Sequence, residues 1–403
     1  MAVKVATPKG FRDFLPQDAK LRIFVLEKVK SSLEKFGFEP LETSAIEFAE
    51  TLRGKYGEEE KLIFEFTDRG GRQVALRFDQ TVPLARLITQ YPSLQKPFNR
   101  YQIQPVWRAE NPQRGRFREF LQVDFDTIGT SSLLADAEIV KGAIVSMQNI
   151  GFKNFVMKIN DRDTFRSLPV EVVRILDKIQ KVGEVGVIEQ LKRTGYDARE
   201  AKALLKRIKD SSPTKNVEKV FGYLEDSKMD KDTYAFDPTL ARGLDYYTGL
   251  IFEMEVEGYT GGSVGGGGRY DDLIGKFTGS KTPAVGFSFG FDRLIEAADE
   301  QKLLPNYSPS TQILVTIFKE NLLNDSLALV SRLRSRGVSA EIYLEPDEKL
   351  DKQLKYADNK KIPYTAILGP NEVKSGLVTI KDLSTGKQET IKESELLRKL
   401  TSK

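Results

Sequence analysis

The chain has 403 residues, of which 40% are hydrophobic and 30% charged, with a formal net charge of +4; this suits two or three domains with an ample core. It contains no cysteine and no histidine, which excludes disulfides, thiol chemistry, imidazole acid–base catalysis, a His-activated serine and His-ligated zinc. Any chemistry must therefore use carboxylates, arginines, lysines, tyrosines, backbone groups, or Mg²⁺ bound through oxygen. No apolar run of about 18 residues exists, so no membrane-spanning helix is expected. The opening MAVKVATPKGFRDF lacks an apolar core and carries Asp13, against a signal or transit peptide, and the expected address is cytoplasmic. The small positive charge permits local basic patches without proving nucleic-acid binding.

In chain order, Pro16 opens a helix whose Leu21, Val25, Val29, Leu33 and Phe36 share one stripe, and Gly37 ends it. An extended Phe38–Leu41 follows. Lys61–Thr67 and Gln73–Phe78 read as strands around the turn Asp68–Gly71. Asp79 and Thr81 sit at the end of the second strand, before Pro83 and the apolar helix Leu84–Thr89. Two roles remain open for them: capping that helix, or binding a ligand at a strand end.

The stretch Tyr101–Gly129 reads as an antiparallel hairpin. Phe120, Gln122, Asp124, Asp126 and Ile128 share one face at strand period, and Leu121, Val123, Phe125 and Thr127 share the other, which is core. Arg118, Arg116 and Arg108 continue the first face through a connector holding Asn111, Pro112 and Gly115. Such a face is either a solvated edge or the floor for a ligand with an anionic end and a cationic or donor end.

Ser131–Ile150 reads as a helix and Phe155–Asn160 as a strand. Residues 163–232 are helical and charge-rich without a strand candidate, the pattern of an inserted subdomain. Strands return at Leu240–Gly249, LARGLDYYTG, and at Ile251–Val256. The glycines of Tyr259–Asp272, YTGGSVGGGGRYDD, suggest a flexible turn; the alternative is a loop pressed against a planar ligand. The run lacks the lysine of a phosphate loop. Ala284–Gly290 reads as a strand and Phe291–Ala298 as a helix with Phe291, Leu294, Ile295 and Ala298 inward. Arg293 near that helix start is unfavourable with the helix dipole unless an anion lies close.

Pro305 and Pro309 mark a linker. Beyond it lie strand Gln312–Phe318, helix Leu322–Arg336, strand Ser339–Tyr343, helix Lys349–Lys361, and strands Tyr364–Leu368, Leu377–Asp382 and Glu389–Ile391, a separate α/β domain. The second helix carries Lys349, Lys352, Lys355, Lys360 and Lys361, which make either a solvated face or a nucleic-acid contact.

These motifs resemble those of the histidyl-tRNA synthetases, class II aminoacyl-tRNA synthetases. VWRAENPQRGRFREFLQVDFDTIG resembles the second class signature and AVGFSFGFDRL the third, while LARGLDYYTG and SVGGGGRYDDL resemble the two signatures peculiar to this family. PKGFRDFLP and Phe36–Thr43 resemble its N-terminus and dimer-forming first motif. The resemblance covers essentially the whole chain. It implies an α+β fold: an antiparallel-sheet catalytic domain over residues 1–162 and 233–305, a helical insertion over 163–232, and an α/β anticodon-binding domain over 311–403.

The resemblance also implies roles, with histidine, ATP with Mg²⁺, tRNA(His) and a second copy in a homodimer as partners. Arg108 would hold the ATP α-phosphate and the histidine carboxylate, and Arg242 would lie beside that phosphate during activation. Arg116 and Arg293 would grip the triphosphate tail. Asp79, Thr81 and Gln122 would take the substrate ammonium, and Asp126, Tyr246 and Tyr247 the imidazole. Gln113 and Arg114 would approach the acceptor end of the tRNA. Leu121 stands where many members carry histidine, and both acidic pocket positions are Asp where some carry Glu. A chain without histidine needs no charged histidine tRNA for its own synthesis. The related regulatory subunit of ATP phosphoribosyltransferase is the rival; such paralogues usually lack the anticodon domain and erode the arginines, which stand here.

Overall fold

The computed structural model describes residues 5–241 and 246–401; Arg242 lies outside the described residues. Two compact units divide the chain, Met1–Pro305 and Asn306–Lys403.

The first unit is built on an eight-stranded sheet. The hairpin Phe98–Trp107 and Glu119–Ile128 is followed across the sheet by Ala284–Gly290, Gly265–Arg269, Leu250–Val256 and Phe155–Asp161, each pair antiparallel. Short parallel strands Glu39–Pro40 and Tyr234–Phe236 finish the two edges. The register divides the sheet into two unlike faces. One row carries Tyr101, Phe125, Phe287, Gly267 and Phe252. These belong to an apolar layer against which helices Pro16–Lys35 and Leu133–Ile150 bury Val25, Val29, Leu33, Ile139, Ala143 and Met147. Each of these valine, leucine, isoleucine and methionine side chains, once fully buried, is worth about 1.5–3 kcal/mol. Both helices have local reasons to start and stop. Pro16 stands at the first turn of one and Gly37 follows it at a φ of 76°, while the Ser132 side chain caps the other and Gly151 ends it.

The opposite face is polar. Gln104 pairs with Gln122, Gln102 with Asp124 and Arg100 with Asp126, and the next strand sets Gly290, Ser288 and Gly286 beside the same residues. The parity read from the sequence is the one observed. A small three-stranded sheet, Ile46–Phe48, Gln73–Leu76 and Glu65–Thr67, lies elsewhere in this unit. The segment from Lys61 differs from expectation: a 3₁₀ helix spans Gly57–Leu62, and only Glu65–Thr67 is strand.

Two further expectations are corrected. The glycine run is no flexible turn, because Gly265–Arg269 is a buried central strand. Its glycines serve close approach: a Cβ on Gly267 would lie 2.0 Å from the Gly286 carbonyl oxygen. Conversely, none of the described residues of Leu240–Gly249 is strand, and the strand that follows is Leu250–Val256. Before it, Asn160 Nδ2 donates to the carbonyls of Pro238 and Leu240, and Asp237 accepts from Thr239, so side chains take the backbone partners a strand ladder would supply.

Helices Val170–Leu176, Ile179–Arg193 and Ala198–Lys209 share their own core, with Val173, Leu191, Leu205 and Ile208 inside it. The fourth helix, Lys215–Asp226, buries Val217, Val220 and Leu224 in the main core instead.

The second unit has a five-stranded sheet in the order Ala340–Ile342, Ile313–Val315, Tyr364–Ile367, Leu377–Asp382, Gln388–Lys392. The first three strands are parallel and the last two antiparallel. Helices Leu323–Ser335 and Leu350–Asn359 follow the expected pattern, whereas Pro370–Ser375 and Glu393–Thr401 were not anticipated. The helix Pro370–Ser375 is one short turn-and-a-half whose local marks are Pro370, the bond from Gly369 N to Glu372, and Gly376 after it at a φ of 66°.

Gly267→Ala is expected to lower unfolding free energy by about 1–3 kcal/mol or more, because backbone atoms stand where the methyl must go. Urea denaturation checks this, and an unchanged midpoint would contradict the close packing described.

Candidate active site

A cavity of about 870 Å³ opens over the polar face of the main sheet. Gln122, Asp124, Asp126 and Ser288 form its floor, and Gly265, Gly266 and Gly267 continue that floor without side chains. The glycine run thus lines the cavity as a strand, not as the loop of the alternative reading. Gly286 opens the same floor: a Cβ there would fall 1.8 Å from Asp126 Oδ1.

One end of the cavity is acidic and aromatic. Asp126 is buried, ion-paired with Arg100 at 2.6 Å and accepting from the Tyr270 phenol at 2.5 Å. Burial raises its pKa, and the Arg100 charge and Tyr270 bond oppose that rise. Tyr246 and Tyr247 stack obliquely with centroids 4.8 Å apart, and Tyr246 meets Tyr270 edge-on. Asp79 accepts from the Tyr56 phenol at 2.9 Å and from the Val82 amide at 3.0 Å. Of the two roles left open by the sequence, capping is observed, since Asp79 satisfies a helix-start N–H; Asp79 also lines the cavity. Burial raises its pKa too, countered by those two bonds and by Arg108. Thr81 is hydrogen-bonded to the Tyr246 phenol. Gln122 donates to Ser288 Oγ at 3.0 Å, while its own Oε1 is buried without a partner.

The other end is cationic. Arg108 Nε donates to the Phe78 carbonyl at 3.2 Å, with the guanidinium 4.3 Å from the Phe78 ring centroid and 5.2 Å from that of Phe120. Packing of this kind fixes a guanidinium without neutralising it. Arg293 donates to the carbonyls of Gly115 and Ser263, both at 3.2 Å. Burial lowers its pKa and the nearby Arg116 charge lowers it further. Arg116 pairs with Glu110 at 3.3 Å. Two cations repelling each other beside a cavity form a place for an anion, which is the condition attached to Arg293 from the sequence. Glu253, on the strand beyond the glycines, also lines this cavity.

The structure thus brings together Asp79, Thr81, Arg108, Arg116, Gln122, Asp126, Tyr246, Tyr247 and Arg293. Arg242 lies outside the described residues. Arg118 shares the parity of Arg108 but does not line the cavity; its Nε donates to the Glu110 carbonyl and its stem packs on Gly10. Gln113 and Arg114 are exposed in the hairpin connector, with Arg114 bound to Glu296 at 2.6 Å and to Glu300. Leu121 packs on the apolar layer, away from the ligand face.

Several lining residues had no role from the sequence. Tyr56, Tyr270, Ser288 and Glu253 reach the cavity from segments distant in the chain, and only strand register could have aligned Ser288 with Asp124. Arg174 and Lys178 add cations from the helical segment. Asp292 is held by Arg12 at 2.8 Å and Arg22 at 2.7 Å, fastening the N-terminal segment to the helix that carries Arg293.

A family model described as histidyl-tRNA synthetase matches residues 10–175 and 170–294, and an anticodon binding domain matches 312–403. The chain belongs to the histidyl-tRNA synthetase family. It is 37% identical to the histidine–tRNA ligase of Cytophaga hutchinsonii, covering 98% of this chain and 99% of that one. The corresponding ligase of Wolinella succinogenes is 38% identical over 95% of this chain and 94% of its own. The crystal structure of histidyl-tRNA synthetase from Nostoc sp. PCC 7120 superposes over 100% of both chains with a TM-score of 0.86 at 28% identity. Within this histidyl-tRNA synthetase fold no described helix is long and apolar enough to cross a membrane.

If Arg116 and Arg293 form an anion site, pyrophosphate or ATP at 100 times its Kd adds about 2.7 kcal/mol of stability to the folded protein. The expected outcome is a raised thermal midpoint in wild type and a much smaller rise in Arg293→Met; equal shifts in both would count against the site.

Proposed function

We propose that this cavity joins histidine to ATP, forming histidyl-adenylate and pyrophosphate, and that the histidyl group then passes to the 3′ end of tRNA(His). The observation carrying the reading is one cavity lined by the guanidiniums of Arg108, Arg116 and Arg293 together with acidic, phenolic and amide groups. Full-length likeness to histidine–tRNA ligases supports the same activity.

A carboxylate is already ionised at neutral pH, so its attack on the α-phosphate needs no general base. It needs two anions held together while negative charge grows on the phosphate oxygens. Arg108, clamped by Phe78 and Phe120, is suited to bridge carboxylate and α-phosphate. Arg116 and Arg293 are suited to the departing pyrophosphate. One well-aimed donor of this kind typically contributes about 3–4 kcal/mol in the transition state. The absence of histidine is therefore no handicap to this reaction.

Mg²⁺ characteristically binds through substrate phosphates and one or two carboxylates, and Glu253, lining the cavity and electrostatically coupled to Arg293, fits that requirement. When bound there it would supply further positive charge to the phosphates.

At the acidic end, Asp79, Thr81 and Gln122 are placed for the ammonium, and Asp126 with the tyrosines for the imidazole. Apolar amino acids would leave these buried polar groups unpaired, the kind of mismatch that rejects a wrong substrate by about 10⁴–10⁵. The reading includes a homodimer, a cytoplasmic location and the division into catalytic, inserted helical and anticodon-binding parts. The regulatory-subunit alternative is less supported, because the C-terminal unit matches an anticodon-binding domain and the cavity arginines stand.

Histidine-dependent ATP–pyrophosphate exchange, run against the full set of amino acids, tests the reading; exchange with no amino acid, or with one other than histidine, would sink it. Arg242→Ala should abolish exchange while leaving histidine binding measurable. On helix Leu350–Asn359, Lys355 is exposed and Lys352 pairs with Glu348 at 2.7 Å. Lys352→Glu with Lys355→Glu should weaken tRNA charging and spare exchange, and parallel loss of both would contradict tRNA contact at that helix.

A further inference from the structure

We propose that Asp124 and Ser288 form a positioning relay that holds the Gln122 side-chain amide with its Oε1 turned toward the substrate ammonium. The proposal rests on the reading of Gln122 as an ammonium-binding group and adds what fixes its orientation.

The argument is one of donors and acceptors. Register places Ser288 beside Asp124, and the Ser288 hydroxyl donates to Asp124 Oδ1. An ionised carboxylate can only accept, and a hydroxyl has one proton, so Ser288 commits that proton to Asp124. Its oxygen is then an acceptor toward Gln122, and the Nε2–H of Gln122 meets it at 3.0 Å. With Nε2 engaged, Oε1 must point elsewhere. It is buried without a protein partner on a side chain that lines the cavity. A buried amide oxygen without a donor is costly, and the substrate ammonium is the donor this reaction brings. Reversing the amide would present an N–H to that ammonium and forfeit the bond. Asp124 thus acts at one remove, through Ser288, and neither residue needs to touch the reacting atoms.

The relay has a protonation state. Facing Asp124 are Arg100 and Gln102 on the neighbouring strand, Asp126 on its own strand, Asp79 from the segment after Phe78, and Arg77. Glu253 lies on the same row beyond Ser288 and Gly266. Burial pushes the Asp124 carboxyl up to about 7; Arg100 and the Ser288 bond oppose the rise, while Asp126 and Asp79 add to it. Above that pH the carboxylate accepts and the relay runs as drawn. Below it a protonated Asp124 can donate to Ser288, which frees the serine proton for Gln122 and lets the amide invert. Preference for an amine-bearing ligand is therefore greatest above about pH 7 and falls as pH drops.

Calorimetric binding of histidine and of imidazolepropionate to the full-length protein, at roughly pH 8 and pH 6, tests this on either side of the Asp124 transition. The analogue keeps the imidazole and carboxylate and lacks only the amine; because the ammonium lowers the imidazole pKa of histidine, each affinity is first corrected for that ligand's own imidazole titration, measured in the same buffers, before the ratio is taken. In wild type the ratio should favour histidine at the higher pH and fall by about tenfold at the lower, the size expected for one charge-assisted hydrogen bond. Ser288→Ala should lose about tenfold of the ratio at the higher pH, lose its pH dependence, and bind imidazolepropionate as before. Ser288→Thr, which keeps the hydroxyl, should restore the ratio. An unchanged ratio in Ser288→Ala overturns the relay, as does equal weakening of both ligands, which marks a structural role. Should Ser288→Ala not fold, a pH-independent wild-type ratio overturns it alone. Failure of histidine-dependent exchange in wild type would sink the functional reading and is scored separately.

Discussion

The site depends on a place where two strands come closer than side chains allow. The Asp126 carboxylate occupies the space that a Cβ on Gly286 would need, 1.8 Å from its Oδ1. Because that methyl is missing, the carboxylate can lie across the neighbouring strand and reach Tyr270, while Arg100 neutralises it from the other side. The adjoining glycine strand extends the same opening, giving the cavity a floor with little side-chain bulk. Polar groups in such a floor are buried, and buried carboxylates persist only with partners. Asp126 has Arg100 and Tyr270, Asp124 has Ser288, and Asp79 has Tyr56 and the Val82 amide.

The cavity also separates charge without using imidazole. Carboxylates gather where the sheet is tightest, and arginines gather where the hairpin connector and the helix Phe291–Glu300 meet the cavity. Two of these arginines are positioned by something uncharged, Arg108 by aromatic rings and a carbonyl and Arg293 by two carbonyls, whereas Arg116 pairs with Glu110. Holding a guanidinium by neutral partners leaves its charge available to an incoming anion. A reaction that needs charge stabilisation rather than proton abstraction matches that arrangement, and a chain with no histidine loses nothing by it.

Much of this was legible in the linear order of residues. Alternation in FREFLQVDFDTI assigned Gln122, Asp124 and Asp126 to one face because side chains alternate strictly along a strand. The helix stripe ending at Gly37 was legible because apolar periodicity and stop signals are local. The glycine run misled for a physical reason: glycine composition is the same whether a segment is loose or squeezed between strands. The segment before Leu250 misled because its tyrosines favour a strand locally, whereas the Asn160 side chain takes the Leu240 carbonyl and the Thr239 amide bonds to Asp237.

The sequence by itself determined which residue types could act, the two faces of the hairpin and the family to which its motifs belong. Only the tertiary structure decided which distant side chains complete each group: Tyr270 on Asp126, Tyr56 on Asp79, and Ser288 between Gln122 and Asp124. Alternation along one strand is a local property of the backbone, but the neighbour across a sheet is set by register among strands far apart in the chain.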